Sequence, residues 1–376
     1  MEQTLYRRPL PDGCIAFSSP EGRGLFAEAL TAGELDGYFP LAEQFHTQAE
    51  PAFCGLGSLV VALNALAIDP GRLWKGPWRW FGEEMLDCCV DLAEVRARGL
   101  DLDEVACLAR CNGAEVVLRR GDRDGLDSWR EDLARASRGE VVAIASYDRA
   151  TLDQTGSGHF SPIGGYHRAR DLVLVLDVAR FKYPPHWVPA ERLFGAMVPI
   201  DPVTGRSRGW LVLRARSRGI SLGYSVKCDD VGWSGLARVF GELWVKARRA
   251  TDLGALVRAV RPLAARLEAR TPEAPAHRDA LAQARGALRA LPAWSQVAAV
   301  VGEQEADRVT LLLLAAAELL PPELLPQEQR DLLAASLRAG AEQGALAGDV
   351  TSLREQLAAL WAHARGDAIP AKATRG

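Results

Sequence analysis

No segment of the 376-residue sequence is apolar for long enough to cross a bilayer as a helix. The longest apolar run, VTLLLLAAAELL from Val309 to Leu320, falls well short of the roughly 20 residues needed and is expected as a buried helix. The amino terminus, MEQTLYRRPLPDGC, has no continuous apolar stretch of the kind a secretory leader carries, so export is not expected. Charge of one sign is missing too. With 45 basic and 48 acidic residues the formal net charge is −3, which gives no electrostatic reason to expect nucleic acid as a partner. Cysteine occurs seven times, an odd number that includes the adjacent Cys88 and Cys89. An extracellular disulfide framework favours an even count in a shorter chain, so reduced thiols in the cytoplasm are expected. No two cysteines have the C-x-x-C spacing of a structural zinc site.

What is present reads as two parts. The composition, 48% hydrophobic and 25% charged, is that of a soluble globular protein, and the length allows two domains. Before about residue 220 the signals are mixed. A helical run follows Cys54, and short apolar or β-branched runs such as EVVAIASY and DLVLVLDVA are separated by Gly and Pro turns. Beyond it the sequence turns rich in Ala, Leu and Arg at helical spacing, with helices expected around 234–250, 252–269, 277–290, 296–319, 327–345 and 350–365. Only one cysteine, Cys228, follows residue 220. The expected architecture is α+β, with residues 1–220 as one domain and 221–376 as an all-helical one.

Within the first part, TQAEPAFCGLGSLVV places Cys54 at the start of an apolar helix, with Gly55 and Gly57 beside it and Gln48 six residues earlier. The unpaired N–H groups and positive dipole end of a helix start favour a thiolate, which is the reactive form of cysteine. Glycines there leave room for an incoming carbonyl. A thiol nucleophile needs a base and a group to orient it. Of six histidines, His159 in QTGSGHFSPIGGY has the open surroundings, since Gly156 and Gly158 let backbone and substrate come close. His186, between Pro185 and Trp187, reads as packing, and His46 and His167 have no comparable setting. Asp177 ends the apolar run DLVLVLD. Each alone has a plainer explanation: a buried small hydrophobe, a satisfied core histidine, a turn-forming aspartate. Their combination is what points to chemistry.

The order Cys, His, Asp with a glutamine six before the cysteine resembles papain-like thiol enzymes, although the papain signature around the cysteine is absent. Three longer stretches, TQAEPAFCGLGSLVVALNALAIDPGRLWKGPWRWFGEEMLDCC, QTGSGHFSPIGGY and LDVARFKYPPHWVP, resemble the phytochelatin synthase family across most of residues 1 to about 220. That resemblance implies a papain-like catalytic domain with Cys54, His159 and Asp177 as triad and Gln48 as oxyanion donor. It implies a transpeptidase: Cys54 takes the γ-glutamylcysteinyl group of glutathione as a thioester, and a second glutathione or a growing phytochelatin accepts it. No organic cofactor is implied. Cadmium and zinc enter as activators, carried as glutathione thiolates, and the product chelates them.

Asp201 and Arg208 in IDPVTGRSRGW offer one acid and one base for the donor's α-amine and α-carboxylate, at positions the family also uses; a plain surface ion pair is the alternative. Arg180, Lys182 and Tyr183, just after Asp177, offer a basic rim to an anionic acceptor, or simply a solvated loop. Cys88, Cys89, Cys107 and Cys111 are weak candidates for soft metal ions, with buried thiols the plainer state. Trp74, Trp78 and Trp80 are expected to pack together. The cysteine-bearing tail of plant members is missing after residue 230, and the Ala/Leu/Arg helices read as a stabilising or oligomerising module, a homodimer among the options. Two other functions remain open: hydrolysis of glutathione to γ-Glu-Cys and glycine by the same residues, and a thiol-rich metal-binding protein without turnover.

Overall fold

The computed structural model describes residues 7–216, 224–226, 232–269, 275–317, 319, 326–341 and 344–365. In chain order, β1 (Ile15–Ala16) precedes α1 (Pro20–Thr31), α2 (Tyr38–Gln44) and α3 (Cys54–Ala65), then α4 (Leu92–Arg98) and α5 (Leu102–Cys111). The strand β2 (Ala114–Arg120), α6 (Leu126–Ser137) and β3 (Val142–Asp148) follow, then β4 (Gly158–His167), β5 (Leu172–Val175), β6 (His186–Pro189) and α7 (Ala190–Gly195). A small hairpin of β7 (Ile200–Asp201) and β8 (Arg206–Ser207) leads into β9 (Gly209–Ala215).

Seven of these strands make one antiparallel sheet in the order β1-β6-β5-β4-β3-β9-β2. Both of its faces are covered. In β3, Val142 and Ile144 join the core against α3 and α5, while Ala143, Ala145 and Tyr147 point to the opposite core with Trp129 and Leu133 of α6. In β9, Leu211 and Leu213 join the core on the α5 side, and Trp210 and Val212 join the opposite core with α6. Successive side chains of a strand point to opposite faces, so a strand buried on both reads as an unbroken apolar run. That is why EVVAIASY and GWLVL show no polar alternation. α3 is buried from Cys54 to Asn64, as a helix apolar all round must be, and Asn64 exchanges two hydrogen bonds with the backbone of Phe81.

In the second part, β10 (Tyr224–Val226) pairs with β11 (Leu267–Ala269) among the helices α8 (Gly232–Ala247), α9 (Leu253–Ala264), α10 (Pro275–Arg289), α11 (Pro292–Val301), α12 (Glu303–Ala316), α13 (Gln327–Ala341) and α14 (Gly344–Arg365). The architecture is α+β followed by helices. The helix expected over 296–319 is two helices, because Gly302 at φ +81° breaks it. The run from Val309 lies buried in α12 as far as Ala316. The expected boundary at residues 220 and 221, and Cys228, fall outside the described residues. One apolar core runs through both parts, joining Leu108 of α5 to Leu353 and Leu357 of α14. Polar contacts reinforce that seam. Arg216 donates to Glu355 at 2.8 Å, the Val226 N–H donates to Gln356 Oε1 at 3.0 Å, and His363 Nδ1 lies 3.2 Å from Asp103 Oδ2. Among the described residues, no helix is long and apolar enough to cross a membrane.

Candidate active site

The carboxyl end of β3, the start of β4 and the loop after β5 converge on the first turn of α3. Register pairs His159 with Tyr147 across β4 and β3, so His159 stands at the mouth of the sheet, its ring edge-on to Tyr147 at 5.7 Å. Asp177 lies two residues beyond β5 and is fully buried. Its Oδ1 is 2.8 Å from His159 Nε2, so Nδ1 is the ring nitrogen left to exchange a proton with Cys54. Cys54 opens α3 with no side chain capping the helix, which leaves the N–H groups of that turn without intrahelical acceptors.

Electrostatics match the geometry. Burial alone would push the Cys54 thiol up, but the charge and hydrogen bond of His159, the N–H of Phe160 and the charge of Arg149 outweigh it and hold the thiol below its ordinary value. Burial would lower the His159 pKa, yet Asp177 and a Cys54 thiolate keep it raised. Asp177 itself stays far below the usual carboxylate range despite burial, held there by His159 and Arg149. An imidazolium–thiolate pair is the state this arrangement favours.

The structure also supplies a residue that motif reading overlooks. Arg149, one residue past β3 and 2% exposed, donates from Nη2 to both Asp177 oxygens at 3.0 and 2.8 Å. The Ala179 N–H donates to Oδ1 at 2.9 Å. Its only sequence signal is a charge at the end of an otherwise apolar strand, EVVAIASYDR, where a solvated arginine is the ordinary outcome.

A pocket of about 320 Å³ opens over Cys54 and His159. Asp201 and Arg208 form part of its wall and pair at 3.0 Å, with Arg208 only 7% exposed. Gly158 lies against the Arg208 guanidinium, and a Cβ there would collide with it. The basic run after Asp177 divides. Lys182 lines the pocket beside Gly156, its pKa lowered by burial and by Arg149. Arg180 is exposed and stacks on Phe45 at 4.9 Å instead. Tyr183 is 2% exposed, its hydroxyl accepting the Thr155 N–H at 2.8 Å and its ring lying 5.1 Å beneath the Arg149 guanidinium. It supports the site from behind. Gln48 is buried, and its Nε2 donates to the carbonyls of Glu50 and Pro51 at 2.8 and 2.9 Å. Both amide hydrogens are thus committed to backbone rather than directed at the pocket.

Four other cysteines, two of them on α5, lie together. The sulfurs of Cys88, Cys89 and Cys111 lie within 4.8 Å of one another, a donor set suited to a soft ion, and Cys107 is 2.6 Å from Cys89. Two expectations are corrected. Trp74, Trp78 and Trp80 do not form a buried pack but are 37, 71 and 41% exposed on a surface loop. His186 is more than packing, since its ring hydrogen-bonds at both nitrogens.

A helix-start thiol, an imidazole and a buried carboxylate, set between a helix and an antiparallel sheet, place the molecule in the class of cysteine–histidine–aspartate proteins. The phytochelatin synthase family profile matches residues 5–210, more than half of the sequence, and the chain belongs to that family. It is similar to glutathione gamma-glutamylcysteinyltransferase 3 of Lotus japonicus, at 50% identity over 240 residues, covering 63% of this chain and 50% of that protein. Glutathione gamma-glutamylcysteinyltransferase 1 of Triticum aestivum is 53% identical over 237 residues, covering 62% of this chain and 47% of that protein. The Schizosaccharomyces pombe glutathione gamma-glutamylcysteinyltransferase is 45% identical over 215 residues, 57% of this chain and 52% of that protein. The chain spans about half the length of the curated relatives it matches. The matched family segment holds every candidate site residue and stops before α8.

Proposed function

We propose that the protein transfers the γ-glutamylcysteinyl group of glutathione through a thioester on Cys54, the activity its relatives are named for. Cys54 Sγ attacks the carbonyl carbon of the Cys–Gly amide while its proton resides on His159. The C–N bond breaks, the departing glycine amine takes the proton from His159, and the acyl group stays on sulfur. The α-amine of a second glutathione, or of a longer phytochelatin, then gives a proton to His159 and attacks the thioester carbon. The C–S bond breaks, the thiolate returns to its pairing with His159, and the acceptor is one γ-Glu-Cys unit longer. Asp177 keeps the imidazole turned, and the Cys54 N–H with the dipole of α3 stabilises the tetrahedral oxyanion. Gln48 joins them only by turning away from the Glu50 and Pro51 carbonyls.

The observation that carries this reading is the pocket itself, whose lining includes the thiol–imidazole pair and the Asp201–Arg208 pair. The γ-glutamyl end of glutathione bears an α-amine and an α-carboxylate, which that acid and base complement. Cadmium and zinc then enter on the acceptor as thiolates, with Lys182 facing their negative charge, and the polythiol product sequesters them. Cys88, Cys89 and Cys111 are a second place where such an ion binds. Water in the acceptor's place gives γ-Glu-Cys, and the presence of Lys182 alone, of the three rim residues, among the pocket-lining residues favours some hydrolysis. Mass spectrometry of products from glutathione with and without cadmium tests both. Phytochelatin formation that disappears in Cys54→Ala is expected; an active Cys54→Ala protein overturns the proposal.

A further inference from the structure

Two residues of the quoted motifs take no part in the chemistry above, Gln154 of QTGSGH and His186 of KYPPHW, yet both are buried against the site. They form a chain of hydrogen bonds that ends on Asp177. His186 Nδ1 is 2.9 Å from the Pro184 carbonyl, and its Nε2 is 3.2 Å from Gln154 Nε2. Gln154 Oε1 accepts from Arg149 Nη1 at 2.5 Å, and Arg149 Nη2 holds Asp177.

Donor and acceptor chemistry allows one polarity. A carbonyl only accepts, so His186 Nδ1 carries the hydrogen. A carboxamide nitrogen only donates, so His186 Nε2 is bare, and the ring is neutral. A guanidinium only donates, so the carboxamide oxygen must face Arg149. Protonating His186 would set two N–H groups against each other. Relieving that by turning the amide would aim its NH2 at the Arg149 guanidinium. We propose that Gln154 and His186 are positioning residues, which hold Arg149 on Asp177 and thereby fix the His159 ring only while His186 is neutral.

The surroundings agree. Arg149 and His159 disfavour a charge on His186 and Asp177 favours one, while burial is the largest influence and keeps its pKa below the ordinary value. The strand neighbours of His186 are Ala16 on β1 and Val175 on β5, neither of which titrates. Backbone bonds fix the loop that carries Gln154: its N–H donates to the Arg149 carbonyl at 2.9 Å, and the Arg149 N–H to Ser157 at 3.0 Å.

This inference rests on the thiol chemistry proposed above, and the test keeps the two apart. Glycine release from glutathione is followed against pH, with the rate of Cys54 alkylation by iodoacetamide. Gln154→Leu is expected to lower kcat about 10- to 100-fold with KM little changed, and to move the alkylation midpoint upward as His159 loses its orientation. His186→Gln, which is neutral and both donates and accepts, is expected to keep activity at pH 8 within about threefold while the acidic limb of the profile loses one proton step. An acidic limb unchanged in His186→Gln overturns the inference, whether or not Gln154→Leu folds, as does a folded Gln154→Leu protein with wild-type kcat. Glycine release surviving in Cys54→Ala would instead remove the reading on which it rests.

Discussion

At the scale of single residues the site depends on one thiol and on a carboxylate that is fully occupied. Asp177 receives His159, two contacts from Arg149 and the Ala179 N–H, which together set its orientation. Cys54→Ser is expected to abolish glycine release, whereas Cys14→Ser, outside the pocket lining, is expected to leave it nearly intact. His159→Ala is expected to cost two to four orders of magnitude, roughly what a lost acid–base group costs, because both half-reactions move a proton. Asp177→Asn is milder in orientation but leaves Arg149 beside a neutral amide, and a rate no lower than wild type would move the orienting role elsewhere. Cys54, His159 and Asp177 were legible because glycines and an abrupt polar end to an apolar run mark them. Arg149 was not. A buried cation is identified by the carboxylate it meets, and that carboxylate lies 28 residues away in the chain.

At the scale of elements, close approach is the ruling constraint. β4 begins with Gly158 because Arg208 occupies the space a side chain would take. Gly158→Ala is therefore expected to displace Arg208 from Asp201 and raise KM for glutathione more than it lowers kcat, as steady-state kinetics will report. α5 is started by a capping box, with Asp101 accepting the Glu104 N–H and Glu104 accepting the Asp101 N–H. Asp101 and the three residues before it also line the pocket. Asp101→Ala is expected to lower stability by about 1 kcal/mol in urea unfolding and to loosen the pocket wall. Strands and helices could be placed from apolar runs, but their partners could not. Nothing in GWLVL indicates that β9 enters the sheet between β3 and β2, since a strand buried on both faces carries no register signal of its own.

At the scale of the molecule the helical part is tied to the pocket. His363 of α14 contacts Asp103 of α5, Arg206 Nη2 donates to the His363 carbonyl at 2.5 Å, and Arg120 bridges Asp103 and the Ser207 carbonyl beside Arg208. His363→Ala is expected to destabilise the protein by about 1–3 kcal/mol, the usual effect of removing one partner of a buried charge, measured by thermal unfolding. The sign of pH dependence follows from the same groups. Asp103 and Asp177 both titrate well below their ordinary values, Asp103 despite burial through His363 and its arginines. Their contribution is present above about pH 4 and lost as pH falls through their lower native values. Asp103→Asn should flatten the acid side of the Tm–pH curve; an unchanged slope would assign acid unfolding to other groups. Composition marked an Ala-, Leu- and Arg-rich helical part, but not the shared core, because apolar helix faces do not reveal what covers them.

The place of β9 has a consequence for how the chain reaches this state. Among the described residues β2 pairs in the sheet with β9 alone, so the strand at residues 114–120 waits for the one at 209–215 before it can be paired. Closing so long a loop is entropically unfavourable until the pairing itself rewards it, and contacts of this separation slow folding. Arg208 sits one residue before β9, whereas His159 and Tyr147 meet across the local β3–β4 hairpin. During refolding the β3–β4 hairpin that carries His159 therefore forms early, whereas Arg208 with β9, and Cys54, 105 residues from His159 in the chain, come into place late. An intermediate whose β3 and β4 amides are protected from hydrogen exchange before Cys54 gains its native reactivity towards iodoacetamide is its signature.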